Sequence, residues 1–313
     1  MPTALVTGGA GFIGSHVVRH LEGAGWVVRV LDDLSTGSRA NLESTAAELM
    51  VGDIRDPQTV EAAVQGAQVV FHLAAMISVP ESMARPTECY NANVLGSMHV
   101  LQAARQAGAR RVVLSSSCAV YGDAGAPVDE AAPTSPISPY AASKLAMEQA
   151  ARMMSLAFGL STICLRYFNV YGPRQSPDSP YAAAIPTFIG TMLAGNAPVI
   201  LGDGRQTRDF VYVDDIARAN LLAAEAQVEP GAVFNIGSGR SVTITELVAA
   251  LRALFPGIPE PTSGPARPGD IRLSAGRIER AGQALGYRPE TALRDGLAAT
   301  VEWARGSLQG SRT

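Results

Sequence analysis

The chain has 313 residues, 47% of them hydrophobic and 17% charged, with a net charge of −3 at pH 7. That length admits one large domain or two smaller ones, and the composition is that of a soluble globular protein. The slight acidity argues against a dedicated nucleic-acid binder, which would carry a basic face.

Three widely spaced cysteines, Cys89, Cys118 and Cys164, form no CxxC pair. They point to reduced thiols in a cytoplasmic protein and not to a disulfide framework. The histidines form no HExxH site, so no metal is expected. No apolar run reaches the ~18 residues of a membrane span. The first run, Ala4 to Thr7, stops at glycines, which fits a buried strand and not a signal peptide.

In chain order, short apolar runs alternate with helical patterns. Strands are expected at Thr3–Thr7, Val27–Leu31, Glu48–Val51, Val69–Leu73, Arg111–Ser115 and Ser161–Arg166. Helices are expected at Ile13–Gly23, Pro57–Gln65, Val94–Gln106 and Tyr140–Phe158. Near-continuous apolar strands separated by helices predict a parallel sheet covered on both faces. This is a doubly wound α/β (Rossmann) fold, with ligands at the carboxyl ends of its strands.

Beyond Phe168 the regularity fades. Pro173, Pro177, Pro180, Pro186 and Pro198 break the chain into loops and short elements. A strand–helix unit returns at Asp209–Ala224, followed by a helix at Thr245–Leu254, a proline-rich loop at Pro256–Pro268 and a last helix around Leu293–Ala304. The expected division is a Rossmann domain of residues 1–168 plus 207–230 and a smaller, discontinuous substrate lobe of residues 169–206 plus 231–313.

Gly8-Gly9-Ala10-Gly11-Phe12-Ile13-Gly14 follows the first strand and opens the first helix. Glycines let backbone N–H groups approach a pyrophosphate, and the helix N-terminus adds a favourable dipole. Asp32 ends the second strand 18 residues after Gly14, near the ~20 expected for an acid that binds adenosine ribose hydroxyls. It would repel a 2′-phosphate, and the nearest downstream arginine, Arg39, is seven residues on. The expected cofactor is therefore NAD and not NADP. Asp53-Ile54, after the third strand, would flank adenine, although Asp53 reads equally as a turn residue.

Tyr140-Ala-Ala-Ser-Lys144 places a phenol and an ammonium four residues apart, on one helix face. A phenol ionises near pH 10, and a fixed cation beside it is expected to lower that value. The pair would then serve as a general base towards an alcohol or sugar hydroxyl. The fifth strand runs into Ser115-Ser116-Ser117, and a hydroxyl there could bond the same substrate oxygen. A Ser-His-Asp hydrolase has little support: there is no GxSxG elbow and no histidine beyond His99.

With GxxGxxG, SSS…VYG and YxxxK in this order, the chain resembles the extended short-chain dehydrogenase/reductase family, and within it the nucleotide-sugar 4-epimerases. The resemblance extends to His72-Leu-Ala-Ala75, Asn93, Tyr167-Phe-Asn169, Gly172-Pro-Arg174, Arg208-Asp209-Phe210-Val-Tyr-Val213-Asp214 and Arg267-Pro-Gly-Asp270. It implies an NAD site lined by Gly8, Gly11, Phe12, Ile13, Gly14, Asp32, Asp53, Ile54, Leu73, Ala74, Ala75, Asn93 and Ser115. Tyr140, Lys144 and Phe168 would complete its nicotinamide end. The implied catalytic set is Ser117, Tyr140 and Lys144, with Ser117 and Tyr140 on the sugar 4-hydroxyl. Asn169, Arg208 and Arg267 would hold the uridine diphosphate, and Asp270 would be a further substrate-binding residue. For Arg208 and Arg267 the alternative is a salt bridge to a neighbouring acid, Asp209 or Asp270. The implied reaction passes through a 4-keto sugar that turns in the pocket and is reduced on its other face, with NAD retained throughout.

Related 4,6-dehydratases carry an acid directly after the active hydroxyl residue, whereas here Cys118 and Ala119 follow Ser117. This favours simple epimerisation over a dehydratase or reductase, and the intact Ser117, Tyr140 and Lys144 set weighs against a non-catalytic NAD-binding protein. A lysine of the galactose-epimerase motif is replaced by Ile77. In the family a bulky tyrosine four positions after the RPGD aspartate excludes a 2-N-acetyl group. Here that position is Ser274, which implies UDP-GlcNAc/UDP-GalNAc as substrates, with UDP-glucose as a further one. A homodimer pairing the helices at Val94–Gln106 and Tyr140–Phe158 is implied. Ala103, Ala104, Ala146 and Ala150 would serve either that contact or burial within the chain.

Overall fold

The computed structural model describes residues 1–125, 127–176, 184–266 and 271–310, with side chains described to 307. Six strands come in the expected order: β1 (Thr3–Thr7), β2 (Val27–Asp32), β3 (Glu48–Val51), β4 (Val69–His72), β5 (Arg111–Ser117) and β6 (Thr162–Tyr167). Short strands follow at β7 (Asn169–Tyr171), β8 (Val199–Leu201), β9 (Thr207–Arg208) and β10 (Phe210–Tyr212). Then come β11 (Ala232–Ile236), β12 (Val242–Thr243), β13 (Thr262–Gly264) and β14 (Leu273–Ser274). The helices are α1 (Phe12–Gly23), α2 (Pro57–Val64), α3 (Val79–Ala84), α4 (Pro86–Tyr90), α5 (Ser97–Gln106) and α6 (Pro139–Phe158). They continue with α7 (Ala184–Leu193), α8 (Val213–Glu225), α9 (Ile244–Arg252), α10 (Glu279–Leu285) and α11 (Leu293–Gly310).

Seven strands form one sheet in the order β11-β6-β5-β4-β1-β2-β3, and every neighbouring pair in it is parallel. Strands such as β4 and β6 are buried at every residue, because helices cover both faces. One face packs Val6, Val30, Phe71, Val113 and Leu165 against α1 and α8. The other packs Leu5, Leu31, Val70, Val112 and Leu114 against α2, α5 and α6. The chain direction across the sheet reverses between β1 and β4. The loops leaving those strands separate there, and the resulting crevice is where this topology takes a ligand.

α6 has clear boundaries. Ser138 caps it by accepting from Ala141 N at 3.2 Å, Pro139 occupies the first turn, and Gly159 ends it at φ 72°. The helix expected at Val94–Gln106 begins earlier. α4 runs into a π-helical turn at Asn91–Gly96 and then into α5. The asparagines conceal that start, because they are poor helix formers.

The boundary expected at residue 231 is corrected. Ala232–Ile236 is the edge strand of the main sheet, paired with β6 from Ala232↔Ile163 to Ile236↔Tyr167. Its buried Phe234 and Ile236 face sheet neighbours that only the fold supplies. The proline-rich loop also contains structure, since β13 pairs with β8. A third cluster, with Tyr171, Phe188, Phe210, Leu247 and Leu297, forms the core around α7, α9 and α11. Ala103 and Ala104 are buried within the chain's own core, and so belong to its interior.

Candidate active site

The loop after β1 carries no side chain where it meets the loop after β4. Gly8 has φ +70°, and a Cβ there would stand 2.7 Å from Ala74 N; one on Gly14 would stand 2.0 Å from the Gly8 carbonyl oxygen. Gly11 is the N-cap of α1 and offers no side-chain cap, so the first N–H groups of a 12-residue helix stay open to an outside acceptor. Phe12 and Ile13 begin that helix, and their side chains lean on the third core cluster.

Asp32, expected at the adenosine end, is the last residue of β2. Its Oδ2 accepts from Ala10 N at 2.9 Å and its Oδ1 from Leu34 N at 2.8 Å. Burial raises its pKa, and the backbone donors oppose the rise. Each oxygen keeps an acceptor position for a hydroxyl. Asp53 behaves as a turn residue: Arg55 binds its carboxylate through N and Nε, both at 2.8 Å. Ile54 is buried against Gly96.

The loop leaving β4 is held from two sides. His72 Nδ1 lies 2.8 Å from Thr7 Oγ1, and its Nε2 lies 2.8 Å from Ser97 Oγ. Ser97 donates to the Asn93 carbonyl at 2.5 Å, so it accepts from His72, and the proton sits on Nε2. Thr7 in turn donates to Nδ1 and accepts from Ala74 N at 3.3 Å. Asn93 Oδ1 accepts from Met76 N at 2.7 Å, and its Nδ2 donates to Met76 O at 3.0 Å and Ser143 Oγ at 2.9 Å. The π turn aims this amide inward. Leu73, Ala74 and Ala75 are thereby set between the glycine loop and α6.

Ser117, Cys118, Tyr140, Phe168, Asn169, Arg208 and Ser274 line one cavity of about 260 Å³. The Ser117 hydroxyl lies close enough to the Tyr140 phenol to favour its ionised form, and Ser274 does the same for the Cys118 thiol; Ser117 Oγ itself accepts from Ala119 N at 3.2 Å. Asn169 Nδ2 donates to Asp209 O at 3.1 Å. Arg208 Nη1 donates to the carbonyls of Thr207 at 2.8 Å and Ile271 at 2.6 Å. The carboxylate of Asp209 accepts from Ser238 N, Ser238 Oγ and Gly239 N. Arg267 and Asp270 lie outside the described residues.

Lys144 is buried, and its Nζ donates to the Ser115 carbonyl at 2.8 Å, 6.0 Å from the Tyr140 ring centre. Burial pushes the Lys144 ammonium down to about 8. The expected lowering of the phenol is reversed: burial pushes Tyr140 up to about 12, with the nearby Ser117 hydroxyl only partly opposing it. Desolvating a phenolate outweighs a cation held at this distance. Sequence reasoning also passed over Glu148, buried four residues after Lys144. The same helical spacing, continued one turn, was the available signal.

Residues 4–237 match the model of the NAD dependent epimerase/dehydratase family. The chain belongs to that family. It is 40% identical to a UDP-glucose 4-epimerase of Mycolicibacterium smegmatis over 312 residues, covering 97% of this chain and 99% of that relative. Its fold superposes with a TM-score of 0.93 on the UDP-glucose 4-epimerase of Thermotoga maritima solved with UDP-glucose, at 39% identity over 98% of this chain and 99% of that one. It superposes equally, at 0.93 and 38% identity, on a UDP-N-acetylglucosamine 4-epimerase of Methanobrevibacter ruminantium solved with UDP-N-acetylmuramic acid, over 98% and 99% of the two chains. A dinucleotide fits this family member's crevice: a glycine-rich loop with no side chain at Gly8, Gly9 and Gly11, an uncapped helix start and the Asp32 carboxylate stand in line. Among the described residues no group of three potential metal ligands forms, and no helix is long and apolar enough to cross a membrane.

His72 links the site to stability. Burial pushes it from 6.5 to about 3, so the native state refuses a proton that the unfolded chain accepts. The contribution is fully present above about 6.5 and is lost as pH falls towards 3. Urea unfolding of wild type should therefore weaken below pH 6.5 more steeply than that of His72→Asn. Parallel pH profiles would exclude His72 as the source.

Proposed function

We propose that this chain is an NAD-dependent UDP-sugar 4-epimerase whose pocket admits 2-N-acetylated hexoses, interconverting UDP-GlcNAc and UDP-GalNAc and acting also on UDP-glucose. The observation that carries the reading is the shared cavity of Ser117, Tyr140 and Ser274. One hydroxyl and one phenol converge where a sugar alcohol would enter, and the wall beside them is a small serine. The similarity to epimerases named for both UDP-glucose and UDP-N-acetylglucosamine supports this breadth.

In the proposed reaction Tyr140 takes the proton of the sugar 4-hydroxyl and later returns one to the new alcohol. Ser117, on the wall of the same cavity, would hold the same oxygen. Lys144 anchors the helix to β5 and contributes a positive charge beneath the ring. Asn169 and Arg208, at the ends of β7 and β9, border the cavity where the nucleotide would be gripped. An arginine fork suits a diphosphate. NAD, when bound, supplies the two-electron acceptor for oxidation at C4, the donor that reverses it, and a cationic ring that opposes the burial cost of a phenolate. Anchoring by the nucleotide alone leaves the sugar free to turn within the cavity.

A homodimer is part of the same reading. Leu95, Met153, Leu156 and Phe158 are exposed apolar residues of the π turn and α6, a face that a second copy would cover.

Purified protein given no added NAD should convert UDP-GlcNAc to UDP-GalNAc and UDP-Glc to UDP-Gal. Tyr140→Phe should lower kcat at least a hundredfold, the scale of acid–base assistance; a variant with full turnover would remove Tyr140 from the mechanism. Ser274→Tyr should suppress N-acetyl turnover selectively, and an equal loss on both sugars would refute the role of Ser274 in substrate choice. Sedimentation should show a dimer that Leu156→Glu dissociates; a monomeric wild type would overturn the dimer.

A further inference from the structure

Three consecutive serines end β5, and three successive turns of α6 meet them. Ser117 and the Tyr140 phenol line the same cavity. The Ser115 carbonyl accepts from Lys144 Nζ at 2.8 Å. Ser116 Oγ donates to Glu148 Oε1 at 2.5 Å. Tyr140, Lys144 and Glu148 are spaced by four residues and share one helix face. The first two belong to the proposed chemistry, and Glu148 touches none of the reacting groups.

From Glu148 a buried polar path leads on. Arg166 of β6 grips its carboxylate with two parallel bonds, Nε to Oε1 at 2.8 Å and Nη2 to Oε2 at 2.7 Å. Arg166 Nη1 donates to Tyr121 OH at 2.8 Å, and that hydroxyl donates to Asn235 Oδ1 at 2.7 Å. Asn235 Nδ2 donates to the carbonyls of Val128 at 3.1 Å and Arg277 at 3.2 Å. Val128 N bonds Ala275 O at 3.0 Å, and Arg277 N bonds Val128 O at 2.8 Å. Val128, Ser274 and Ala275 are wall residues of the cavity that holds Tyr140. The path therefore joins the reacting helix to the pocket wall.

A buried ion pair gives little net stability, because desolvation offsets its attraction. Its effect here is geometric, since the bidentate fork fixes the angle as well as the distance between α6 and β6. We propose that Glu148 and Arg166 are positioning residues that hold the reacting face of α6 and the sugar-pocket wall in one register. This rests on the 4-epimerase reading. The Ser116 arm sets where Ser117 stands against Tyr140, and the Tyr121–Asn235 arm sets where Ser274 and Ala275 stand. Misplacing a reacting group by about 1 Å can cost on the order of a hundredfold in rate.

The two arms predict different losses. Ser116→Ala removes one bond and leaves the ion pair; kcat should fall about tenfold with KM unchanged, an intermediate fraction of that cost. Asn235→Ala cuts the far arm and should raise KM for the UDP-sugar severalfold while kcat holds. The double variant Glu148→Leu, Arg166→Met should keep a near-native thermal midpoint, as apolar replacements of buried pairs do, yet lose kcat. A readout independent of turnover is the phenol of Tyr140, titrated in the holoprotein by phenolate difference absorbance against Tyr140→Phe. It should shift in Ser116→Ala and in the double variant, although the groups facing the phenol, namely Ser117, Lys144, Cys118 and Cys89, are untouched. Wild-type kcat, KM and phenol titration in all these variants would overturn the proposal. A wild type that epimerises no UDP-sugar, with a phenol titration that still shifts, would refute the reaction and keep the positioning role.

Discussion

The bond from Lys144 Nζ to the Ser115 carbonyl ties the helix that carries Tyr140 to the strand that carries Ser117. It crosses the carboxyl edge of the parallel sheet, one residue beyond the point where β4 ends, since the last β4 residue, His72, pairs with Leu114. Burying an ammonium is costly, and the lowered pKa of about 8 records that cost, with the Glu148 carboxylate one turn on opposing it only in part. Around it the chain has placed donors and acceptors that tolerate no shift. The Asn93 amide is held from both sides by Met76, Ser143 donates to the Tyr140 carbonyl at 2.7 Å, and Ser82 accepts from Tyr140 N at 3.2 Å. Four segments distant in sequence meet at one turn of helix.

The same burial sets the acid–base state. A phenol raised to about 12 is a poor base at neutral pH, so the protein groups alone do not complete the proposed chemistry. Competence then depends on the cofactor's presence, which accords with a cofactor retained through turnover.

The sequence made the central sheet legible as far as β6 because those strands are continuous apolar runs bounded by glycine or polar shifts. β11 escaped because it is five residues long and reads as loop between Gly231 and Gly237; only its pairing with β6 makes it a strand. The glycine loop, Asp32, Ser117, Tyr140 and Lys144 were readable, since their spacing is itself the chemistry. The direction of the Tyr140 shift was not, because desolvation depends on what surrounds the ring. Asp53 was readable only as two alternatives, and the contact with Arg55 supplies the turn that spacing left open. The Glu148–Arg166 path joins residues 18 apart on different elements, which no local pattern reports.

Ser274 shows how the small strands join the two halves of the proposed site. In β14 it pairs with Arg208 of β9, and Leu273 pairs with Thr207. Asp209 N bonds the Ser274 carbonyl at 2.9 Å, so the backbone on either side of Arg208 is fixed to the segment that walls the sugar. β9 pairs on its other side with β12, whose Thr243 caps α9 through a reciprocal bond with Glu246. The residue proposed to choose the sugar and the arginine proposed to grip the nucleotide thus stand on one short ladder. On the proposed reading, discrimination at carbon 2 and anchoring of the diphosphate would share this ladder, although they act on opposite ends of the substrate.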